Sequence, residues 1–413
     1  MKFSRCLVAL SLICAAAPLS ARDEPPLETV LSQWDQDAHP DLRGVVVMRG
    51  ETVVAERYYN GETADALHDI RSAGKSITAL LLGIAIDRHR IASVDETVQR
   101  YWPEAKGSAI GDVALGNVLT MRSGLAADDE DEASPGTEDR MDAAPDPLAF
   151  VRGVPRAAPP GSVYRYNSVT AYVAGVVTAR ATGGTMADFA RGALFAPLGI
   201  ARWQWQADAA GMTKGQGNLS LAARDLARIG AMVLGKGRYH GRRIVSANWL
   251  RDSLAPRVAI GKTDPYADGY GYFWYHKVHT IAGRAIPVSF ASGNGGNKIY
   301  VVPSRHLAIA ITSSAYGKGY GQRRSEDILK AILAADIATG ADERAPDDGD
   351  LARRAISRHT APAIRHLWGI IDETPCRRRG ALPDALGLFF RQQGHAGRDR
   401  SAADLPAHGR RDL

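Results

Sequence analysis

The sequence predicts an α/β fold of the α+β type, an antiparallel β-sheet flanked by helices with an inserted, mainly helical lobe. Strand-like runs of apolar and β-branched residues lie near both ends of the first 340 residues, at 44–48, 52–58, 288–292, 299–302 and 307–312. Longer runs with helical periodicity occupy the middle of the chain. Because the strand-like runs are remote in sequence, we expect them to meet in one sheet, with the middle forming the second lobe.

The N-terminus has the pattern of a cleaved secretory signal. Lys2 and Arg5 precede the apolar run CLVALSLICAAAPL, and small residues follow it. This order predicts a signal peptide over residues 1–21, with cleavage near Ala21 and a periplasmic or secreted product. A retained membrane anchor is the alternative. The apolar run is short for a mature span and no second one follows, so we expect no stable membrane span after cleavage.

The first elements of the mature chain read as a hairpin followed by a buried helix. The runs GVVVM and TVVAERY flank Arg49-Gly50-Glu51, which is typical of a β-hairpin. The segment SITALLLGIAIDRH, at 76–89, is apolar on nearly every side, as expected of a helix inside the core.

Further helices are predicted at 168–183, 185–199, 219–235 and 324–339. Ser220 is a plausible N-cap for the third of these. Residues 128–146 contain nine acidic residues and only one basic residue, Arg140, and are interpreted as an exposed loop.

These elements predict one large domain at 22–340. Its sheet lobe would comprise about 40–108 and 251–340, and its helical lobe about 109–250. From residue 341 the chain has 13 arginines, no lysine and little periodicity, which predicts a poorly ordered tail over 341–413.

Composition argues against several classes of function. The chain has 51 basic and 45 acidic residues, a net charge too mild to indicate a nucleic-acid partner. Two of the three cysteines leave with the signal, and Cys376 alone cannot form an internal disulfide. The eleven histidines include no His-x-x-x-His pair, so neither a metal nor a cofactor is expected.

Ser72 and Lys75 are the strongest candidates for chemistry. Residues three apart on a helix share one face, so the amine of Lys75 can reach the hydroxyl of Ser72. A lysine in an apolar pocket can take the proton of a serine and make it nucleophilic. The helix N-terminus at Ser72 favours developing negative charge. We expect Lys75 to be largely neutral, because burial and the helix dipole both disfavour its charge.

Two other segments fit this chemistry less specifically. Tyr164 and Tyr166 precede a helix, and a tyrosine beside Lys75 can relay a proton. Taken alone, this segment is more typical of ordinary packing tyrosines with hydroxyls at the surface. The run Gly293-Asn294-Gly295-Gly296 separates two strands, where a free amide can bind an oxyanion or the glycines can simply form a turn.

In type and order, these elements resemble the motifs of the serine β-lactamase and penicillin-binding-protein superfamily. The resemblance is greater to its class C β-lactamase-related branch, which includes D,D-carboxypeptidases, esterases and 6-aminohexanoate-dimer hydrolase. It spans about residues 42–335 and includes IRSAGKSITALLLGIAID, VLTMRSGL, PPGSVYRYNS, LFAPLGI, LSLAARDLARIG, YGYFWY and SGNGGNKIYVVP. It implies a β-lactamase/transpeptidase-like fold.

The resemblance also implies roles for individual residues. Ser72 matches the family nucleophile, Lys75 its lysine, Tyr166 the tyrosine of the Tyr-x-Asn/Ser motif, and Ser168 the third position of that motif. The amides of Ser72 and Asn294 match the oxyanion hole.

Two departures from the family pattern bear on substrate. Ser168 replaces the asparagine usual in β-lactamases, and Gly293-Asn294-Gly295 replaces a Lys-Thr-Gly or His-Thr-Gly triplet. The cation of that triplet helps to bind carboxylates, and we expect Lys298 to point along the next strand instead. Loss of one charged hydrogen bond costs roughly 1.5–3 kcal/mol.

The sequence therefore predicts a serine hydrolase that forms an acyl-enzyme on Ser72 and acts on a small-molecule or short-peptide ester or amide. With the acidic segment at 128–146, neutral or amine-bearing substrates are expected to be favoured. The alternatives are a penicillin-binding D,D-peptidase or weak class C-like β-lactamase, and a catalytically silent binding protein of the same fold.

Overall fold

The computed structural model describes residues 27–340, and both the predicted signal peptide and the predicted tail lie outside them. Its main feature is an antiparallel sheet of eight strands. From edge to edge the strands are β2 (Thr52–Tyr58), β1 (Leu42–Arg49), β13 (Leu307–Ser313), β12 (Asn297–Val302), β11 (Arg284–Gly293), β10 (Tyr275–Ile281), β9 (Gly269–Tyr270) and β8 (Val258–Ala259).

The prediction of one sheet built from remote segments is confirmed. Strands β1 and β2 form the expected hairpin, in which Arg49 pairs with Thr52 and Gly50 adopts a φ of 59° in the turn. On its other side β1 pairs with β13, with Val46 opposite Ala310. The sequence pattern did not reveal β8 and β9, which are only two residues long, or β10, whose sequence YHKVHTI is largely polar.

Five short strands lie outside this sheet. A three-stranded sheet contains β3 (His68–Asp69), β5 (Leu219–Leu221) and β4 (Gln204–Trp205), and a two-stranded sheet contains β6 (Arg238–Tyr239) and β7 (Arg242–Arg243). The expected helix at 219–235 was therefore wrong at its start. Ser220 lies in β5, where it pairs with Asp69 and Gln204, and is not an N-cap.

Helices cover the sheet and build the inserted lobe. They are α1 (Leu27–Ser32), α2 (Gly74–Asp87), α3 (Val98–Tyr101), α4 (Leu115–Leu119), α5 (Glu138–Asp142), α6 (Pro147–Gly153), α7 (Ser168–Thr182), α8 (Met186–Ala190), α9 (Ala223–Leu234), α10 (Ala247–Leu254) and α11 (Gly319–Ala338). None of the helices within 27–340 combines the length and apolarity needed to span a bilayer.

Helix α2 is held rigidly inside the molecule. Twelve of its fourteen residues are buried. The indole of Trp249 donates a hydrogen bond to the carbonyl of Ala79, and Gly83 leaves the space for that ring, since a Cβ there would lie 2.1 Å from Nε1. Packing in the interior therefore fixes the side chains at the start of α2.

Candidate active site

Ser72 and Lys75 meet at the entrance of helix α2. Ser72 lies in a 3-10 turn, Arg71–Ala73, directly before the helix, and Lys75 lies in the first helical turn. The Nζ atom of Lys75 is 2.9 Å from the Oγ atom of Ser72. Ser72 is partly buried while Lys75 is only 2% exposed, so the lysine is the more enclosed of the two.

Lys75 uses all three donors of an ammonium group. Besides Ser72, its Nζ atom donates to the Oγ atom of Ser168 at 3.1 Å and to the carbonyl of Gln216 at 2.8 Å. A buried lysine with three acceptors and nearby negative charge is stabilised in its charged form.

The expectation that Lys75 is neutral is therefore wrong. Burial opposes its charge, but Tyr166, Glu138 and Asp129 outweigh that effect and raise the pKa of Lys75 above its usual value. The charged form of Lys75 is thus the favoured one, and an ammonium group must release a proton before it can accept one from Ser72.

Of the two candidate tyrosines, Tyr166 is the one beside the lysine. The Nζ atom of Lys75 lies 5.1 Å from the centre of the Tyr166 ring. Tyr164 instead packs edge-on against Tyr270, with ring centres 5.3 Å apart, and burial raises the pKa of its hydroxyl. This placement favours Tyr166 for proton transfer and a packing role for Tyr164.

Ser168 connects the lysine to a carboxylate that the sequence reasoning missed. Ser168 begins helix α7, and Asn167 caps that helix. The Oγ atom of Ser168 accepts from Lys75 and donates to Oε2 of Glu138 at 3.0 Å. Asp129 holds this arrangement, since its two oxygens accept from the amides of Ser168 at 2.6 Å and of Glu138 at 2.9 Å.

The acidic segment is only in part the exposed loop that its composition predicts. It contains helix α5 and packs three side chains into the interior, those of Ser134, Thr137 and Met141. Asp128 pairs with Arg165 at 3.6 Å, and Asp142 with Lys214 at 2.7 Å. The negative charge that it offers to a substrate is thus smaller than a count of nine carboxylates implies.

The glycine turn after β11 lies against the turn that carries Ser72. A Cβ at Gly293 would lie 2.0 Å from the carbonyl oxygen of Ile70 and 3.0 Å from the amide nitrogen of Ala73. The next residue, Asn294, is exposed, and Gly295 follows with a φ of 85°. Within 27–340, neither the Asn294 amide nor the Ser72 amide donates to a protein acceptor, which leaves both available to an oxyanion.

This contact makes Gly293 a sensitive position. We expect Gly293→Ala to push β11 away from the Ser72 turn, to lower the free energy of unfolding by about 1–3 kcal/mol and to slow acylation of Ser72. Thermal unfolding and the rate of labelling by a fluorophosphonate measure the two effects. Gly192→Ala is the control, because a Cβ there meets nothing within 4 Å. Labelling of Gly293→Ala at the wild-type rate would contradict the view that this contact shapes the site around Ser72.

The sequence analysis expected Lys298 to point along the next strand, but in the structure its side chain reaches across to the adjacent strand. Lys298 and Ser292 are directly opposite on β12 and β11, and the Nζ atom of Lys298 donates to the Oγ atom of Ser292 at 2.9 Å. The lysine is 1% exposed and its Nζ atom lies 4.9 Å from the centre of the Phe290 ring. Burial lowers the pKa of Lys298 to about 8. A buried lysine thus lies on the neighbouring strand, in contact with the residue before the glycine turn.

The fold and the Ser-x-x-Lys pair at the entrance of helix α2 point to one class of protein. The chain belongs to the beta-lactamase family, whose model matches residues 35–333. A 6-aminohexanoate-dimer hydrolase from Paenarthrobacter ureafaciens is 30% identical over 252 residues, which are 58% of this chain and 62% of that protein. The chain therefore matches about three-fifths of the length of that curated relative.

Solved structures of low sequence identity share the fold. A D-alanine carboxypeptidase from Burkholderia cenocepacia superimposes with a TM-score of 0.57 at 18% identity, covering 75% of this chain and 99% of that one. A class C β-lactamase from Rhodobacter sphaeroides gives a TM-score of 0.55 at 17% identity, covering 75% and 99%. These two likenesses support the β-lactamase/transpeptidase fold and do not distinguish substrates.

Proposed function

We propose that this protein hydrolyses a small ester or amide through an acyl-enzyme on Ser72. The observation that carries the proposal is the 2.9 Å contact between Ser72 and the enclosed Lys75. The Oγ atom of Ser72 attacks the carbonyl carbon, and the amides of Ser72 and Asn294 receive the oxyanion. Tyr166 passes a proton to the leaving group, and water then releases the acyl group.

A small substrate is supported by the curated relative, whose name describes a hydrolase of a 6-aminohexanoate dimer. The half-exposed position of Ser72 is compatible with either an ester or an amide. The direct test is to label the protein with a fluorophosphonate and to map the adduct by peptide mass spectrometry. An adduct on the peptide containing Ser72 supports the proposal, and an adduct elsewhere or none contradicts it.

A second candidate is a penicillin-binding D,D-peptidase or a weak β-lactamase, and Lys298 favours it. Lys298 is too enclosed to meet a substrate directly, but Ser292 in front of it is half-exposed. Ser292 accepts from Lys298, and its own hydroxyl donates to Oε1 of Gln322 over a long 3.5 Å. A substrate carboxylate can replace that weak acceptor. Labelling with a fluorescent penicillin, followed by the same mapping, tests this activity.

Lys298→Met should distinguish the two candidates, since methionine keeps the length and apolar contacts of the side chain. If Lys298 supports a carboxylate subsite, labelling by the penicillin slows by about 10–100-fold, the equivalent of one charge-assisted hydrogen bond. Turnover of a neutral ester stays unchanged. In the wild type, the ratio of penicillin labelling to neutral-ester turnover should fall as pH rises through about 8, where Lys298 loses its proton. A ratio unaffected by pH and by the substitution would exclude this subsite.

A further inference from the structure

Four side chains form a continuous hydrogen-bonded chain that leads away from the nucleophile. Ser72 Oγ, Lys75 Nζ, Ser168 Oγ and Glu138 Oε2 follow one another at 2.9, 3.1 and 3.0 Å. The two inner members are almost fully enclosed, with Lys75 at 2% and Ser168 at 1% exposure. Lys75 is therefore placed to exchange a proton with Glu138 through Ser168.

We propose that Glu138 is a positioning residue of the active site, which holds the proton that Lys75 must release before Ser72 can be deprotonated. The inference rests on the proposed function, because it assumes that Ser72 is acylated. It assigns a role to a carboxylate outside the Ser-x-x-Lys and tyrosine motifs.

The proton balance of this step is closed. Lys75 gives a proton to the oxygen of Ser168 while the hydroxyl proton of Ser168 moves to Oε2 of Glu138. The pair changes from ammonium and carboxylate to amine and carboxylic acid, with no net change of charge. Rotation about the Cε–Nζ bond then turns the free electron pair of Lys75 to Ser72, which gives up its proton as it attacks.

The surroundings favour such an exchange. Burial raises the pKa of the Glu138 carboxyl, which makes this group a better proton acceptor than a solvated glutamate. Converting an enclosed ion pair to a neutral pair also removes the cost of keeping two charges away from water.

Three other titratable groups face this chain. Asp129 accepts from the backbone amides of Ser168 and Glu138, and Asp142 is paired with Lys214. Tyr166 lies over Lys75. Among the contacts of the described residues, the hydroxyl of Ser168 donates to Glu138 and to neither of the two aspartates.

Glu138→Gln tests the proposal by the direction in which a pH profile moves. Glutamine can still accept the hydrogen bond from Ser168, but it cannot take the proton. Lys75 must then lose its proton to solvent, so we expect the acidic limb of kcat/KM to move to higher pH. For a neutral ester at pH 6.5 the rate should fall by about 100-fold or more and recover as pH is raised.

A purely electrostatic role would move the profile in the opposite direction. The charge of Glu138 raises the pKa of Lys75, so its removal alone would lower that pKa and shift the acidic limb to lower pH. A purely structural role would lower the rate at every pH and leave the limb in place. Either result would overturn the proposal.

Two further variants complete the test. Ser168→Ala keeps the Glu138 carboxylate but interrupts the hydrogen-bonded chain, so it should move the acidic limb to higher pH as Glu138→Gln does. Either variant can therefore carry the test if the other folds poorly. Glu130→Gln removes an exposed carboxylate of the same segment and should leave the profile unchanged. If Ser168→Ala shifts the limb and a folded Glu138→Gln does not, Glu138 is not the proton acceptor. Labelling of Ser72 in the wild type tests the hydrolase function independently.

Discussion

Ser72→Ala is expected to lose ester hydrolysis by at least about 10⁴-fold, because removal of a catalytic nucleophile typically costs several decades of rate. The fold should be retained. Ser72 lies in a half-exposed turn, and its hydroxyl accepts from a lysine that keeps two other acceptors. The measurement is kcat/KM for a chromogenic ester, with thermal unfolding recorded on the same preparation.

The matched control is Ser304→Ala, which removes the hydroxyl of an exposed serine in the turn between β12 and β13. This variant should hydrolyse the ester at the wild-type rate and take up the fluorophosphonate. Undiminished turnover by folded Ser72→Ala would place the nucleophile elsewhere and remove the basis of the proposed mechanism.

The Ser72–Lys75 pair could be predicted because its geometry is local. A spacing of three residues on a helix brings two side chains together whatever the rest of the molecule does. The buried helix after Ser72 was equally predictable from its continuous apolar pattern, and α2 has this character in the structure. The other sheet strands followed from the same kind of local pattern, but β8, β9 and β10 did not.

Glu138 and Asp129 could not be predicted in the same way. They are 30 and 39 residues from Ser168 in sequence, and they reach it only because the acidic segment folds back on the start of α7. In composition the segment resembles a solvated loop. One local feature did indicate structure in this segment. Thr137 is a residue type that favours a helix N-cap, and it caps helix α5 by accepting from the amide of Arg140.

The position of Lys298 depended on strand register. Alternation along β12 does not tell which residue of β11 lies opposite, because that is decided by the length and shape of the intervening turn. In the structure Gly293 pairs with Asn297, which places Lys298 opposite Ser292. For this reason the sequence analysis could not predict the contact between Lys298 and Ser292.

Tyr166→Phe is expected to slow hydrolysis by about 10²–10⁴-fold, the usual range for loss of general acid–base catalysis. The substitution removes only the hydroxyl group and keeps the ring that lies 5.1 Å from the Nζ atom of Lys75. Tyr164→Phe is the matched control. Because Tyr164 packs against Tyr270, loss of its hydroxyl should change the rate by a few-fold at most.

The leaving group gives this prediction a sharper form. A nitrophenolate is stable without a proton, whereas an alkoxide or an amine must be protonated as it departs. If Tyr166 donates that proton, Tyr166→Phe should slow an alkyl ester or an amide far more than a nitrophenyl ester with the same acyl group. The measurement is the ratio of kcat/KM for the two substrates in both variants. An equal loss on both would mean that Tyr166 orients Lys75 without donating a proton. A loss confined to Tyr164→Phe would mean that the other tyrosine serves the site.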